Sequence, residues 1–445
     1  MAKGISFIVA LVLIVGCTKD FTTNDLQLDV DLKRLISNAS PDGSYEFYQL
    51  PVHTDLDQIP QDVRNPLTAQ KVELGKFLFY ETGLAMDANY ESGLGTYSCG
   101  SCHIPAAGFR AGAPQGVADG GMGFGVNGEN RIKNRDYQED EIDAQSARPL
   151  SLINVAYVTN TFWNGQFGGG GVNVGTEDVW HLREDTERNE LGFEAIETQN
   201  FEGILAHRIA SNKELLEQLG YKDMFDEVFP EIPEEERYNT NTASLALSAY
   251  IRAIISDKAP FQQWLAGDYG AMSDMEKEGG ILFFGKARCA NCHYEKNLGS
   301  MEFHALGVKD LYQRPSFNTK VSDRRNLGRG GFTLNFEDRF KFRVPQLYNL
   351  NDSPFYFHGS SKLTIEEVID YKIAATSENP NVENELLSEK FSPLNLTSRE
   401  REALINFIKF SLRDPDLNRY LPTQILSGNC FPNNDPQSVI DLGCN

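Results

Sequence analysis

Ser98-Cys99-Gly100-Ser101-Cys102-His103 and, much further along, Arg288-Cys289-Ala290-Asn291-Cys292-His293 decide how this chain is read. Each stretch holds two cysteines with two residues between them, followed at once by a histidine. The spacing lets two thiols bond the vinyl groups of one haem while the next side chain reaches the iron. A zinc site built from all four cysteines would usually place the pairs about 15–20 residues apart, and these lie much further apart. A thioredoxin-like redox pair gives no reason for a histidine to follow twice. Two covalently bound haem c groups are therefore expected. Cys99, Cys102, Cys289 and Cys292 attach them, and His103 and His293 are the proximal iron ligands.

The flanks of the two motifs are alike. Leu74-Gly75-Lys76-Phe77-Leu78-Phe79 precedes the first, and Gly280-Ile281-Leu282-Phe283-Phe284-Gly285-Lys286 precedes the second. Each reads as an apolar helix leading into a haem loop. The expected fold is mainly α, with two cytochrome c-like haem domains in tandem, descended from one unit and joined by long irregular loops. Thr68 can cap a helix over residues 69–80, with Val72, Leu74, Phe77 and Leu78 on its apolar side. Residues 241–257 form the clearest helix, and Pro260 beyond it marks a boundary near 258–265. Thr397-Ser398-Arg399-Glu400 opens a further helical pattern through Phe410. The Gly-rich stretch 106–130 reads as a loop able to wall or uncover the first iron. A second Gly-rich loop covers 166–172.

The chain has 445 residues and a formal net charge of -22. That charge repels nucleic acid and favours a basic partner, or serves solubility alone. Lys3 precedes an apolar run from Ile5 to Val15 that is too short for a comfortable membrane span. The run ends in Ile14-Val15-Gly16-Cys17, which resembles a bacterial lipobox; the competing reading is an ordinary signal peptide with a chance cysteine. On the lipobox reading residues 1–16 are a signal peptide and Cys17 carries lipid. Residues 17–45 are a tether, and 46–258 and 259–445 are the two haem domains. Thr18, in place of an aspartate retention signal, favours the outer membrane of the cell envelope, facing the periplasm or the surface. Cys430 and Cys444 remain, and in an oxidising compartment they pair to close a small terminal loop.

With both motifs placed, the chain from Pro66 to Leu412 resembles the bacterial di-haem cytochrome c peroxidases and the MauG-type enzymes. The stretches that carry the likeness include Lys71-Val72-Glu73-Leu74-Gly75-Lys76, Phe162-Trp163-Asn164-Gly165 and Leu265-Ala266-Gly267-Asp268. Val344-Pro345-Gln346-Leu347-Tyr348-Asn349 follows, then Ser353-Pro354-Phe355-Tyr356-Phe357-His358-Gly359 and Leu363-Thr364-Ile365-Glu366-Glu367-Val368-Ile369. The resemblance implies that the first haem reacts with peroxide and the second receives electrons. It makes Trp163 a stepping point between them. It also implies a Gln above the first iron and, ten residues later, a Glu for acid–base work. Gln199 matches the first, but Ile209 stands at the second. The titratable candidates nearby are His207, Glu197 and Glu202.

Other departures matter. No histidine lies between His103 and His181, so the inhibitory histidine of the peroxidases is absent and the first iron is expected to stay open. Where the family has a calcium-binding Asn, an ungapped count reaches Arg148, which argues against calcium. The sixth ligand of the second haem is a Met in the peroxidases and a Tyr in MauG, fourteen residues after the match to His358. Here that count reaches Lys372, with Tyr371 just before it, and the last methionine is Met301.

Three functions fit. The first is reduction of hydrogen peroxide, with electrons from a small cytochrome c or cupredoxin; a homodimer is compatible with it. The second is a MauG-like oxidation of a protein or organic molecule. The third is electron transfer without catalysis. The anchor is tested separately: Cys17→Ser should abolish lipid labelling and release the protein to the soluble fraction, and lipidation that survives the change would refute the lipobox.

Overall fold

A computed structural model describes residues 23–444, so Cys17 and the apolar run before it lie outside the described residues. Helix α1 spans Thr23–Ala39. Helix α2 spans Ala69–Tyr80, and the Thr68 hydroxyl accepts from the Lys71 N–H at its start. Helices α3 (Ala195–Ala206) and α4 (Thr240–Arg252) are the other long helices of the first half. In the second half are α5 (Asp274–Phe284), α6 (Ile365–Ala374) and α7 (Ser398–Asn406). A short α8 (Pro436–Leu442) closes the chain. Capping boxes start α4, α5 and α7, each supplying partners for orphan N–H groups. Two small antiparallel ribbons, 121–122 with 132–133 and 303–304 with 342–343, are the named strands among the described residues. No described helix is long and apolar enough to cross a membrane.

Both halves are built on one kind of helix crossing. A Cβ on Gly75 of α2 would lie 1.9 Å from the Ala246 carbonyl oxygen of α4. A Cβ on Gly279 of α5 would lie 2.0 Å from the Ala403 carbonyl oxygen of α7. Only glycine permits either approach. One turn on from each glycine a phenylalanine meets the motif histidine: Phe79 and His103 have ring centroids 6.5 Å apart, Phe283 and His293 6.4 Å. The repeat expected from the flanks is thus physical, a glycine crossing followed by an aromatic wall.

Helix α4 stops at Arg252, short of the expected 257. Beyond it the backbone bonds elsewhere: Asn154 N–H donates to the Ile254 carbonyl, and Ser256 N–H donates to the Asn154 side chain. The helix at 398 runs to Asn406 and continues as a π turn through Ser411.

The ends of the chain correct the expected organisation. Most of the region read as a tether, residues 17–45, is helical: α1 packs on the second half, with Leu32 and Ile36 fully buried. Asp29 on α1 pairs with Lys277 at 2.8 Å and accepts from the Trp264 indole at 2.7 Å, both inside the protein. At the other end, the 430–444 segment, sequentially in the second half, lies on the first haem motif. Ser98 Oγ donates to the Pro432 carbonyl, and Asn434 N–H donates to the Thr96 carbonyl. Asp435 and Asp441 accept from backbone N–H groups of Gly123, Phe124 and Gly125 in the Gly-rich loop. Cys430 and Cys444 are disulfide-bonded and hold this segment closed.

Glu197 also finds its place here. It is fully buried between α3 and α4, where Arg252 grips it through Nε at 2.8 Å and Nη2 at 2.5 Å and Asn65 adds a third bond. It does not line the first haem cavity, so it is a structural ion pair and not an acid–base group. Removing Glu197 leaves the buried Arg252 guanidinium with only the half-exposed Glu194, at 3.0 Å, to answer its charge. Glu197→Ala should cost about 3–5 kcal/mol in denaturant unfolding of the holoprotein. Loss of peroxide turnover at unchanged stability would contradict this assignment.

Candidate haem sites

Each cysteine pair lines its own cavity, about 310 Å3 for Cys99 and Cys102 and about 240 Å3 for Cys289 and Cys292. The separation excludes a zinc site made from all four. Burial pushes the Cys99 and Cys102 thiols up to about 12, the opposite of an activated redox nucleophile.

The histidines are held alike. His103 Nδ1 lies 3.1 Å from the Phe109 carbonyl oxygen, and His293 Nδ1 lies 2.8 Å from that of Leu298. Both carbonyls belong to non-glycine residues in the left-handed region, each with φ 53°. This uncommon backbone turns a carbonyl onto the ring and leaves Nε2 for a metal. Burial pushes both imidazoles down to about 4, keeping them in the neutral form that ligates.

The wall shared by the two cavities is cationic. Arg110, Arg148 and Arg343 line both, and all three are buried. None has a carboxylate within ion-pair reach among the described residues; their hydrogen bonds go to carbonyl groups and to the Ser353 hydroxyl. Burial pushes Arg148 down to about 9 and the other two to about 10. Guanidinium groups buried without counter-charge are costly. Haem c brings two propionates per ring, anions of the sign this wall lacks. The residues therefore fit two haem c groups in thiol, imidazole and charge. At the position where the resemblance puts a calcium ligand, Arg148 donates to the Ala111 and Ala113 carbonyls at 2.7 and 2.6 Å. Its charge disfavours a divalent cation there.

Trp163 lines both cavities. Its indole donates to the Arg148 carbonyl at 2.7 Å, and its own carbonyl accepts from Arg343 N–H at 2.7 Å. The His358 ring meets it edge-on at 6.1 Å. The tryptophan is thus clamped from both halves at their junction.

In the first cavity Gln199, Glu202 and His207 come together on α3 and its C-terminus. Gln199 has no hydrogen-bond partner among the described residues, whereas Glu202 is paired with Arg188 at 2.7 Å. His207 Nδ1 lies 2.7 Å from Asp143 Oδ2, and Asp143, a residue the sequence reading did not single out, is buried. The Asp143 carboxylate raises the His207 pKa against the effect of burial and of Arg208. The ring is fixed by a helix stop: Arg208 and Ile209 N–H groups return to the Leu205 and Ile204 carbonyls. Arg208 takes the left-handed conformation, φ 53°, usually left to glycine there. Its guanidinium on Asp119 and the Tyr97 hydroxyl on its carbonyl hold it so.

In the second cavity α6 presents one stripe, Ile365, Val368, Ile369 and Lys372, at helical spacing. Tyr371 is off that stripe. Its hydroxyl donates to the Leu306 carbonyl at 2.6 Å, so it is corrected from candidate ligand to packing residue. Lys372 Nζ has no hydrogen-bond or ion-pair partner among the described residues; it lies 5.9 and 5.7 Å from the Phe357 and Phe391 rings. Burial pushes it down to about 8.

Residues 69–270 match the family described as di-haem cytochrome c peroxidase. The chain is 26% identical over 361 residues to the methylamine utilization protein MauG of Methylorubrum extorquens, covering 81% of this chain and 83% of that protein. It is 27% identical over 381 residues to the cytochrome-c peroxidase IdrP1 of Denitromonas iodatirespirans, covering 81% and 86%. A crystal structure of a MauG-like protein associated with microbial copper homeostasis shares the fold, with TM-score 0.56 and 23% identity over 83% of this chain and 95% of that one. With two candidate haem sites on this mainly helical fold, the chain is similar to the di-haem cytochrome c peroxidases, whose family model it matches over residues 69–270, and to MauG.

Proposed function

We propose that this protein reduces hydrogen peroxide to water at its first haem, with electrons entering at the second from a small cytochrome c or cupredoxin. One observation carries the reading: the two cavities are chemically unlike. The first presents an Asp143–His207 pair and the unpartnered Gln199 carboxamide. The second presents the Lys372 amine; its own histidine–carboxylate pairs, His358 with Asp310 and His304 with Glu302, are tied further, the first ring stacked on Phe342 and the second bonded also to Ser388. A bound haem at the first site would supply the coordination position and the redox chemistry. His207 Nε2 takes the proton from one peroxide oxygen and returns it to the other. Asp143 holds the imidazole with Nδ1–H toward the carboxylate, and Gln199 orients the peroxide by hydrogen bonding. Two electrons and two protons per peroxide complete the balance, giving two waters. Trp163, clamped between the cavities, is the electron's stepping point. Attachment to the outer membrane through Cys17 belongs to the same proposal and rests on the Ile14–Cys17 motif.

One feature favours a second reading, oxidation of an organic or protein molecule. An amine ligand on the second iron would stabilise its ferric over its ferrous state, which disfavours its reduction by a small donor protein and suits a cycle in which peroxide supplies the oxidising equivalents and the substrate the electrons.

His207→Ala should slow peroxide turnover by about 10²–10⁴-fold at unchanged haem content. Because Asp143 raises the His207 pKa, the imidazole gains its basic form only at higher pH. Asp143→Asn should therefore move the rising limb of the rate–pH profile to lower pH. Unchanged turnover in the alanine variant would remove His207 from the reaction.

A further inference from the structure

We infer that Lys372 Nζ is the sixth ligand of the second haem, opposite His293. Ile365, Val368, Ile369 and Lys372 follow the i, i+3, i+4, i+7 pattern of one helix face, Ile365 and Ile369 buried and the other two half-buried, and all four line the cavity that holds His293. The first three are apolar, as a face against a haem requires. The fourth is an amine on the same stripe. A lysine usually escapes such a face by snorkelling to water or by pairing with a carboxylate. Here no hydrogen bond or ion pair reaches its Nζ among the described residues, and the rings of Phe357 and Phe391 lie 5.9 and 5.7 Å from it on the cavity wall.

The other candidates around this cavity are occupied. Tyr371 gives its hydroxyl to the Leu306 carbonyl. His358 Nε2 lies 2.9 Å from Asp310, and its ring stacks on Phe342 with centroids 3.6 Å apart. His304 is engaged at both nitrogens, Nε2 with Glu302 at 2.8 Å and Nδ1 with Ser388 at 2.9 Å. No methionine lines the cavity. An amine with nothing to bind, on the wall of a haem cavity, leaves the iron as its partner. To ligate, the ammonium loses one proton to solvent, and the nitrogen lone pair displaces water from the sixth position. Amine and imidazole together make a strong-field pair that favours low-spin ferric iron and lowers the potential relative to a thioether ligand.

The inference rests on haem c being attached at Cys289 and Cys292. That premise is checked separately by counting haems retained on denaturation. The test is electron paramagnetic resonance and near-infrared magnetic circular dichroism of ferric holoprotein carrying two haems per chain. Wild type should show one low-spin centre with an amine–imidazole signature. Lys372→Ala should lose that centre. Lys372→Met should replace it with a methionine–iron charge-transfer band and raise the potential of the second haem. Two haems per chain and an unchanged first-haem signal certify that each variant is folded. A second haem that is water-ligated in wild type, or a low-spin centre unchanged in both variants, would overturn the assignment. The wild-type spectrum decides by itself should neither variant accumulate.

Discussion

Two helix crossings, at Gly75 and Gly279, set where everything else can sit. At each, the helix before a haem motif lies so close on the closing helix that a methyl group would overlap a carbonyl oxygen. That contact fixes the rotation of α2 and α5 about their axes and so aims Phe79 and Phe283 at the motif histidines. The opposite side of each ring is fixed by a carbonyl from a left-handed residue, Phe109 or Leu298. The histidine is thus located by sterics on one side and by a hydrogen bond on the other. Both devices are built from the chain's own groups, an aromatic ring on one helix and a backbone carbonyl beside the motif.

The same crossings bring the two cavities against one wall, and that wall carries the main electrostatic tension. In a chain with net charge -22, three guanidinium groups are buried together with no carboxylate in ion-pair contact among the described residues. Self-neutralisation would have been easy in so acidic a protein. Its absence at this wall fits a site whose counter-charges come from the haems. The backbones of Arg148 and Arg343 also hold Trp163, one accepting from its indole and the other donating to its carbonyl, so the two residues whose side chains line this wall position the aromatic ring between the cavities.

Much of this was legible in the amino-acid sequence, for identifiable reasons. The motifs specify attachment chemistry by spacing alone, and Thr68, Ser273 and Thr397 mark helix starts by side-chain chemistry. What escaped was whatever depends on which face a residue presents. Leu28, Leu32, Leu35, Ile36 and Ala39 carry a helical stripe in α1, but the intervening polar residues made 17–45 look like a tether. Glu197 and Gln199 are two residues apart on α3 and so face different ways: one into an ion pair with Arg252, the other into the cavity. Asp143 lies far from His207 in the chain and only folding joins them. Lys372 was reached by register, while the stripe from Ile365 that separates it from Tyr371 gives a physical reason.

The central claim is a division of labour between an open first haem and a second one closed by a protein ligand. Rapid mixing of the fully ferric holoprotein with hydrogen peroxide, followed by freeze-quench electron paramagnetic resonance, reads both haems at once. The account predicts a high-spin first haem whose signal is lost on mixing without prior reduction, beside a low-spin second haem that binds no peroxide. A first haem already low-spin, with His207 on its iron, or one that reacts only after the second is reduced, would contradict it.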